Sequence, residues 1–190
     1  MSRTKAREIV LGIAVAAFIL SAASAVLAKS PKPKTVKGAG AGSFGTIDFS
    51  YDGAEPGSVS ILTGADSNGA FNGQIYAEYV SADTTCTAPD KTAGEEYTLV
   101  GEWSVLTYTK GDALLVAGSK DGSECVSKTT GVFGGSLSYV ITGGSGKYTG
   151  ASGIGTLNFG GVVLFFGDGG PGYGLVGTIV GEFSEQLTLP

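Results

Sequence analysis

The chain has 190 residues, of which 17 are Asp or Glu, 12 are Lys or Arg and none is His, so its formal net charge is −5. The absence of histidine excludes Ser-His-Asp and Cys-His catalytic systems, and two cysteines alone are too few for a Cys/His zinc site. From Ser43 onward, 5 Lys and no Arg stand against 16 Asp and Glu, a balance of −11. This acidity argues against nucleic acid as a partner, because phosphate binding depends on Lys and Arg.

The first 28 residues have the layout of a secretory signal peptide. Basic residues at positions 3, 5 and 7 precede an apolar run over 9–20, and small residues follow up to Val26-Leu27-Ala28. We therefore predict a signal peptide over 1–28 and a secreted or periplasmic mature protein with no stable membrane insertion after cleavage. An uncleaved anchor over 9–28 is the alternative. Four lysines directly after the run argue against it, since basic residues normally stay on the cytoplasmic side.

The segment 29–42 (KSPKPKTVKGAGAG) consists mainly of Lys, Pro, Gly and Ala and has no apolar periodicity. This composition predicts a disordered, flexible basic leader that lies outside any core. The remaining residues, 43–190, have the length of one domain.

That domain is predicted to be all-β. Its glycines separate short runs rich in Val, Ile, Thr, Tyr and Phe, and several runs alternate apolar with polar residues, as an antiparallel sheet with one buried face requires. The predicted strands are Phe44–Ser50, Val59–Thr63, Gln74–Val80, Tyr97–Thr109, Ala113–Ser119, Ser123–Lys128, Val132–Thr142, Ile154–Phe159, Val162–Phe166 and Leu175–Leu187. The segments 64–73, 81–96 and 167–174 are predicted as irregular loops.

We expect these strands to form a single antiparallel β-barrel of about eight strands, since closure removes the unpaired edges of apolar strands. A two-layer sandwich is the alternative. Cys86 and Cys125 are predicted to form a disulfide, as an isolated pair of cysteines usually does in an oxidising compartment.

Aromatic residues on the alternating strands are candidates for lining an apolar cavity. Within Tyr97–Thr109, the alternation places Leu99, Trp103 and Val105 on one face. We take Tyr79, Trp103 and Tyr139 as candidate binding residues, with a filled core as the alternative, since small barrels are commonly plugged by side chains. No cofactor or metal is expected: the Gly40–Gly45 and Gly144–Lys147 patterns lack the strand–helix context or the Ser/Thr that nucleotide loops need.

The segment Ile141–Gly153 (ITGGSGKYTGASG) resembles a recurrent corner of the allene oxide cyclase and dirigent barrels and of secreted bacterial proteins described as similar to them. In those families a strand enters a glycine-rich turn and the next strand follows. The resemblance implies a β-barrel, with Tyr148 packed beneath the corner and glycines at positive φ. Plant members isomerise fatty-acid epoxides or guide radical coupling in an apolar cavity, and their functional residues do not map onto this chain.

The sequence therefore predicts a non-catalytic binding or structural module for a small apolar ligand. The alternative is a cofactor-independent cyclase or isomerase acting in the cavity, for which a buried carboxyl beside a roomy cavity would be the sign. Glu78 and Glu102 are the first candidates for that carboxyl. A third alternative, a self-assembling surface or structural protein, predicts a fully packed interior and a stable homo-oligomer.

Overall fold

The computed structural model describes residues 31–47, 57–118, 121–165 and 175–190. The predicted signal peptide over 1–28 and the predicted loop over 167–174 lie outside the described residues. Within them the fold is all-β and has nine strands: β1 Lys34–Ile47, β2 Gly57–Asp66, β3 Gly69–Thr87, β4 Ala93–Tyr108, β5 Ala113–Gly118, β6 Ser123–Ser127, β7 Val132–Ser145, β8 Ser152–Phe165 and β9 Val176–Thr188. One 3-10 turn, Gly146–Tyr148, joins β7 to β8.

The strands form an antiparallel sheet that closes on itself as a ring. Sequential neighbours pair from β1 to β4, β7 pairs with β8 and β8 with β9, and β9 pairs back with β1. Two short strands, β5 and β6, fill the position between β4 and β7. Each pairs with both β4 and β7, and the two follow one another along the length of those strands. The nine strands therefore occupy eight positions around the ring, and no described strand of it is left as an open edge.

The predicted flexible leader is wrong over Lys34–Gly42, because these residues belong to β1. Lys34 is in register with Leu187 of β9, and Gly38 is in register with both Phe183 of β9 and Asp66 of β2. β1 has no alternation of apolar and polar residues here. At Gly38 the ring of Phe183 from β9 occupies the space that a side chain would otherwise fill. Pairing on both sides orders a segment whose composition alone favours disorder.

Three other predicted segments also differ from the structure. The predicted loops 64–73 and 81–96 are largely strand, since β3 runs from Gly69 to Thr87 and β4 begins at Ala93. The predicted break between residues 159 and 162 does not exist, and β8 is continuous. At that point Gly161 lies under the ring of Phe133 on β7, so glycine fills a packing role there and does not mark a turn.

The glycine-rich corner has the predicted local structure. Gly143, Gly146 and Gly150 have φ values of 149°, 59° and 74°. Tyr148 is fully buried, and its ring centroid lies 5.0 Å from that of Tyr108. The corner thus folds its aromatic residue into the ring and fills the end of the ring at which β7 ends and β8 begins.

The interior has a packed half and an open half. At the packed end, Tyr108 Oη donates a hydrogen bond of 2.6 Å to Asp66 Oδ2, and Lys147 Nζ lies over the rings of Tyr108 and Tyr148. The buried side chains of this half include Val36, Phe71, Leu106, Leu114, Ile141 and Leu187. We call the other end, where β1 and β8 end and β2 and β9 begin, the open end.

The described residues include no helix long and apolar enough to cross a membrane. The predicted disulfide is present: Cys86 on β3 is bonded to Cys125 on β6, with their Cα atoms 6.0 Å apart. This bond is compatible with an extracytoplasmic location.

Candidate functional site

A cavity of about 640 Å³ occupies the open half of the ring. Its size is within the range of about 300–1,000 Å³ that is typical of small-molecule sites. The side chains that line it come from every strand except β5. Two further lining residues, Lys128 and Leu175, lie just outside the strands. The aliphatic and phenylalanine residues of the lining are Phe44, Ile75, Ala77, Val126, Phe133, Leu137, Leu157, Phe159, Val163, Leu175 and Ile179.

Aromatic rings form a connected wall of this cavity. Phe44 and Phe133 meet edge to face, with their ring centroids 5.4 Å apart. Phe159 then lies 6.5 Å from Phe133 and 6.4 Å from Tyr79 on the next side. Centroid distances of about 4.5–7 Å are the range that aromatic pairs favour, so the rings of this wall also stabilise one another.

Glu102 is the most deeply buried carboxyl of the cavity. It is 3% exposed, and its Oε2 atom has no hydrogen-bond partner among the described residues. The backbone of β5 lies close beside it, since a Cβ atom on Gly118 would come within 2.7 Å of that oxygen. Burial raises the pKa of Glu102 to about 7, and a hydrogen bond with Ser104 opposes this shift only in part.

Glu124 on β6 is a second carboxyl in the same cavity. Its withdrawal from water raises its pKa to about 7. Tyr79 lies near both carboxyls: its pKa is well above the ordinary value, first because of burial and then because of the negative charges of Glu124 and Glu102. Along β4, Tyr97 pairs with Glu124, Leu99 pairs with Tyr79, and Glu102 follows. Tyr79 therefore lies between the two carboxyls along the strand direction. The cavity thus holds two acidic groups along one side and a neutral phenol between them.

The rim of the cavity carries an ion pair. Lys128 Nζ lies 3.0 Å from Glu95 Oε2, and Ser81 donates a hydrogen bond of 2.7 Å to Glu95 Oε1. The hydrogen bond from Ser81, followed by the contact with Lys128, lowers the pKa of Glu95. Glu95 is therefore ionised at neutral pH and neutralised by its partner, in contrast to Glu102 and Glu124.

Tyr139 and Glu185 are joined by a hydrogen bond below the main cavity. Tyr139 Oη donates a hydrogen bond of 2.9 Å to Glu185 Oε2, while Glu185 Oε1 has no partner among the described residues. Burial raises the pKa of Glu185 to about 7. Tyr139 lines a smaller void of about 50 Å³ below the main cavity, and Glu102 borders both spaces.

The prediction that Trp103 faces inward is wrong. Glu78 of β3 is in register with Gly101 and Tyr79 with Leu99, so Val100 is an extra residue, a β-bulge. Beyond the bulge the alternation is inverted, and Glu102, not Trp103, points into the ring. Trp103 is 40% exposed on the outer face, where its ring centroid lies 5.7 Å from that of Tyr76.

The other candidates divide between the cavity and its surroundings. Tyr79 lines the main cavity, whereas Tyr139 lies beneath it. Glu78 is fully buried but points outward, where its Oε2 accepts a hydrogen bond from Tyr76. Sequence reasoning missed Glu124, because β6 is too short to show an alternation; its position next to Cys125 was the only available signal.

The disulfide fixes the wall that carries Glu124. Cys125 lies between Glu124 and Val126, both of which line the cavity, and is bonded across to β3. No group of three His, Cys, Asp or Glu side chains is arranged to hold a metal ion in the described ranges. The arrangement is chemically suited to holding an apolar molecule against one or two carboxyl groups.

Comparison of the chain with protein-family models, with curated proteins and with solved structures finds no match.

Proposed function

We propose that this chain is a secreted or periplasmic β-barrel of the allene oxide cyclase or dirigent type that binds a small apolar ligand in the open half of its ring. The observation that carries this function is the cavity of about 640 Å³ with its wall of phenylalanine and aliphatic side chains. An interior filled for structural reasons alone would be packed at both ends, as it is around Tyr148.

Two features support the barrel type. The strand pairings close from β9 back to β1, and the glycine-rich corner at Ile141–Gly153 adopts the positive φ values and buries the tyrosine that the resemblance implies. The disulfide supports export, because cytoplasmic proteins rarely keep one.

Ligand binding can be tested by filling the cavity. Ala77 lines it on β3 and is buried, whereas Thr63 is exposed on the outer face of β2. We expect Ala77→Phe to weaken the uptake of 1-dodecanol, measured by native mass spectrometry and calorimetry, by about tenfold or more. Thr63→Phe, the matched control, should leave uptake unchanged. If the unmodified protein takes up no apolar molecule, or if Ala77→Phe binds as well as the unmodified protein while keeping its thermal stability, the function is refuted.

The second candidate is a cofactor-independent isomerase or cyclase, and Glu102 is the observation that favours it. A carboxyl with a pKa of about 7, buried at the edge of a roomy cavity, is in the range where a group can both accept and donate a proton at neutral pH. We expect Glu102→Gln to abolish turnover of a neutral fatty-acid epoxide ester but to retain its binding. Chromatography of the products checks this, and turnover that survives the substitution would contradict a catalytic role for Glu102.

A further inference from the structure

Among the described residues, no cation inside the cavity neutralises its acidic groups. Lys128 is the only basic side chain among the described residues of the lining, and it contacts Glu95 at the rim with 58% of its side chain exposed. Within the described part of the chain, Glu102 and Glu124 therefore face the apolar interior without a positive partner.

An independent observation points to a missing partner inside the cavity. Glu102 Oε2 is buried and lacks any hydrogen-bond partner in the described part of the chain. Buried polar atoms are nearly always hydrogen-bonded, and leaving one unpaired is costly. Since Glu102 lines the cavity, the group that completes it can come from a ligand.

We propose that the cavity selects an apolar molecule that carries a basic amine, with the ammonium group against Glu102 and the apolar body along Phe44, Phe133 and Phe159. The inference rests on the proposed binding function and specifies its ligand class. A charge-assisted hydrogen bond from the ammonium would satisfy Glu102 Oε2. A carboxylate ligand such as a fatty-acid anion would add a third acidic group beside Glu102 and Glu124 and is disfavoured.

The pH dependence of binding follows from the titratable groups that face the cavity. They are Tyr79 on β3, the Glu95–Lys128 pair at the rim, Tyr97 and Glu102 on β4, and Glu124 on β6, with the Tyr139–Glu185 pair on β7 and β9 below. On β1, β2 and β8 the lining residues are uncharged. Ionisation of Glu102 and Glu124 as the pH rises through about 7 strengthens amine binding, while the ligand's own amine stays protonated until about pH 10.

The test compares three probes with the same alkyl chain, dodecylamine, 1-dodecanol and dodecanoate, by calorimetry below their micelle-forming concentrations. At pH 8 we expect dodecylamine to bind about tenfold or more tightly than 1-dodecanol, and dodecanoate to bind most weakly. Lowering the pH to about 5.5 should reduce this preference, because the carboxyls then carry protons. Glu102→Gln should remove most of this preference, measured as the ratio of the two affinities, while its circular dichroism spectrum stays that of the unmodified protein. Glu182→Gln on the exposed outer face should change neither the preference nor the spectrum.

The outcomes separate the inference from the function beneath it. Equal binding of dodecylamine and 1-dodecanol, tighter binding of dodecanoate, or an unchanged preference in Glu102→Gln would overturn the inference, while the binding function would stand. Failure of all three probes to bind would overturn both. An unchanged circular dichroism spectrum of Glu102→Gln shows that the variant is folded, so a lost preference is then due to the charge.

Discussion

Tyr139 Oη donates a hydrogen bond of 2.9 Å to Glu185 Oε2 inside the ring, and these residues are 46 positions apart in the chain. The pair lies below the main cavity, and Tyr139 lines the smaller void there. Glu185 Oε1 has no hydrogen-bond partner in the described ranges, so Tyr139 is the donor that the buried carboxyl would lose.

Removing that bond should destabilise the fold. Tyr139→Phe keeps the ring but leaves the Glu185 carboxyl without its donor, and we expect a loss of about 1–3 kcal/mol in the free energy of unfolding. Urea unfolding measures it. In a double-mutant cycle, Tyr139→Phe should cost clearly less when Glu185 is already replaced by leucine. An equal cost in both backgrounds would show that the bond does not stabilise the native state.

The protein should be more stable at mildly acidic pH than at neutral pH. Glu102, Glu124 and Glu185 have pKa values raised to about 7 in the folded chain against an ordinary value of 4.5. Between these values the folded protein holds protons that the unfolded chain has lost, so the free energy of unfolding falls as the pH rises from about 4.5 to about 7.

Urea midpoints between pH 5 and 8 test this dependence. The triple variant Glu102→Gln, Glu124→Gln and Glu185→Gln should have a flatter profile, whereas Glu182→Gln should follow the unmodified protein. A midpoint that rises with pH over this window would contradict the burial of these carboxyls.

The disulfide should stabilise both the fold and the cavity wall. Its cysteines are 39 positions apart, and opening a loop of this length corresponds to about 4 kcal/mol in the chain-entropy model. The Cys86→Ser, Cys125→Ser variant should lose stability of this order and bind 1-dodecanol more weakly, because Glu124 and Val126 flank the bond. Thermal unfolding with and without reductant measures the first effect, and the variant, insensitive to reductant, is its control. A ligand affinity unchanged by reduction would refute the link to the cavity.

Trp103 should not respond to the ligand. It is the only tryptophan and lies on the outer face, with its ring tilted against that of Tyr76. We expect acrylamide to quench its fluorescence equally with and without bound 1-dodecanol. We also expect Trp103→Phe to bind normally, whereas Phe159→Ala, which opens the aromatic wall, should bind measurably more weakly. Protection of the tryptophan by ligand would place it in the cavity after all.

Much of the fold follows from local pattern. The alternation in residues 74–80 correctly places Ile75, Ala77 and Tyr79 on the inner face, and the glycine-rich corner correctly predicts the buried Tyr148. Side-chain direction alternates strictly along a strand, and positive φ is a local property of glycine, so both can be read from neighbouring residues.

The errors lie where distant residues decide. Nothing near Lys34–Gly42 indicates a strand, because β9, almost the whole chain away, provides the pairing and the ring of Phe183 fills the space above Gly38. Likewise, the sequence around Trp103 gives no sign that Val100 is the extra residue. The bulge lies between the part of β4 that pairs with β6 and the part that pairs with β5.

The sequence by itself determined the all-β class, the disulfide, the glycine corner and the inward position of Tyr79, because each depends on short-range pattern or on a pair of residue types. Only the tertiary structure decided that Glu102 replaces Trp103 inside the ring, that Glu124 joins it, and that one half of the interior stays open. The physical reason is register: a single unpaired residue in β4 inverts the faces of everything beyond it, and only the pairing with neighbouring strands sets where that residue lies.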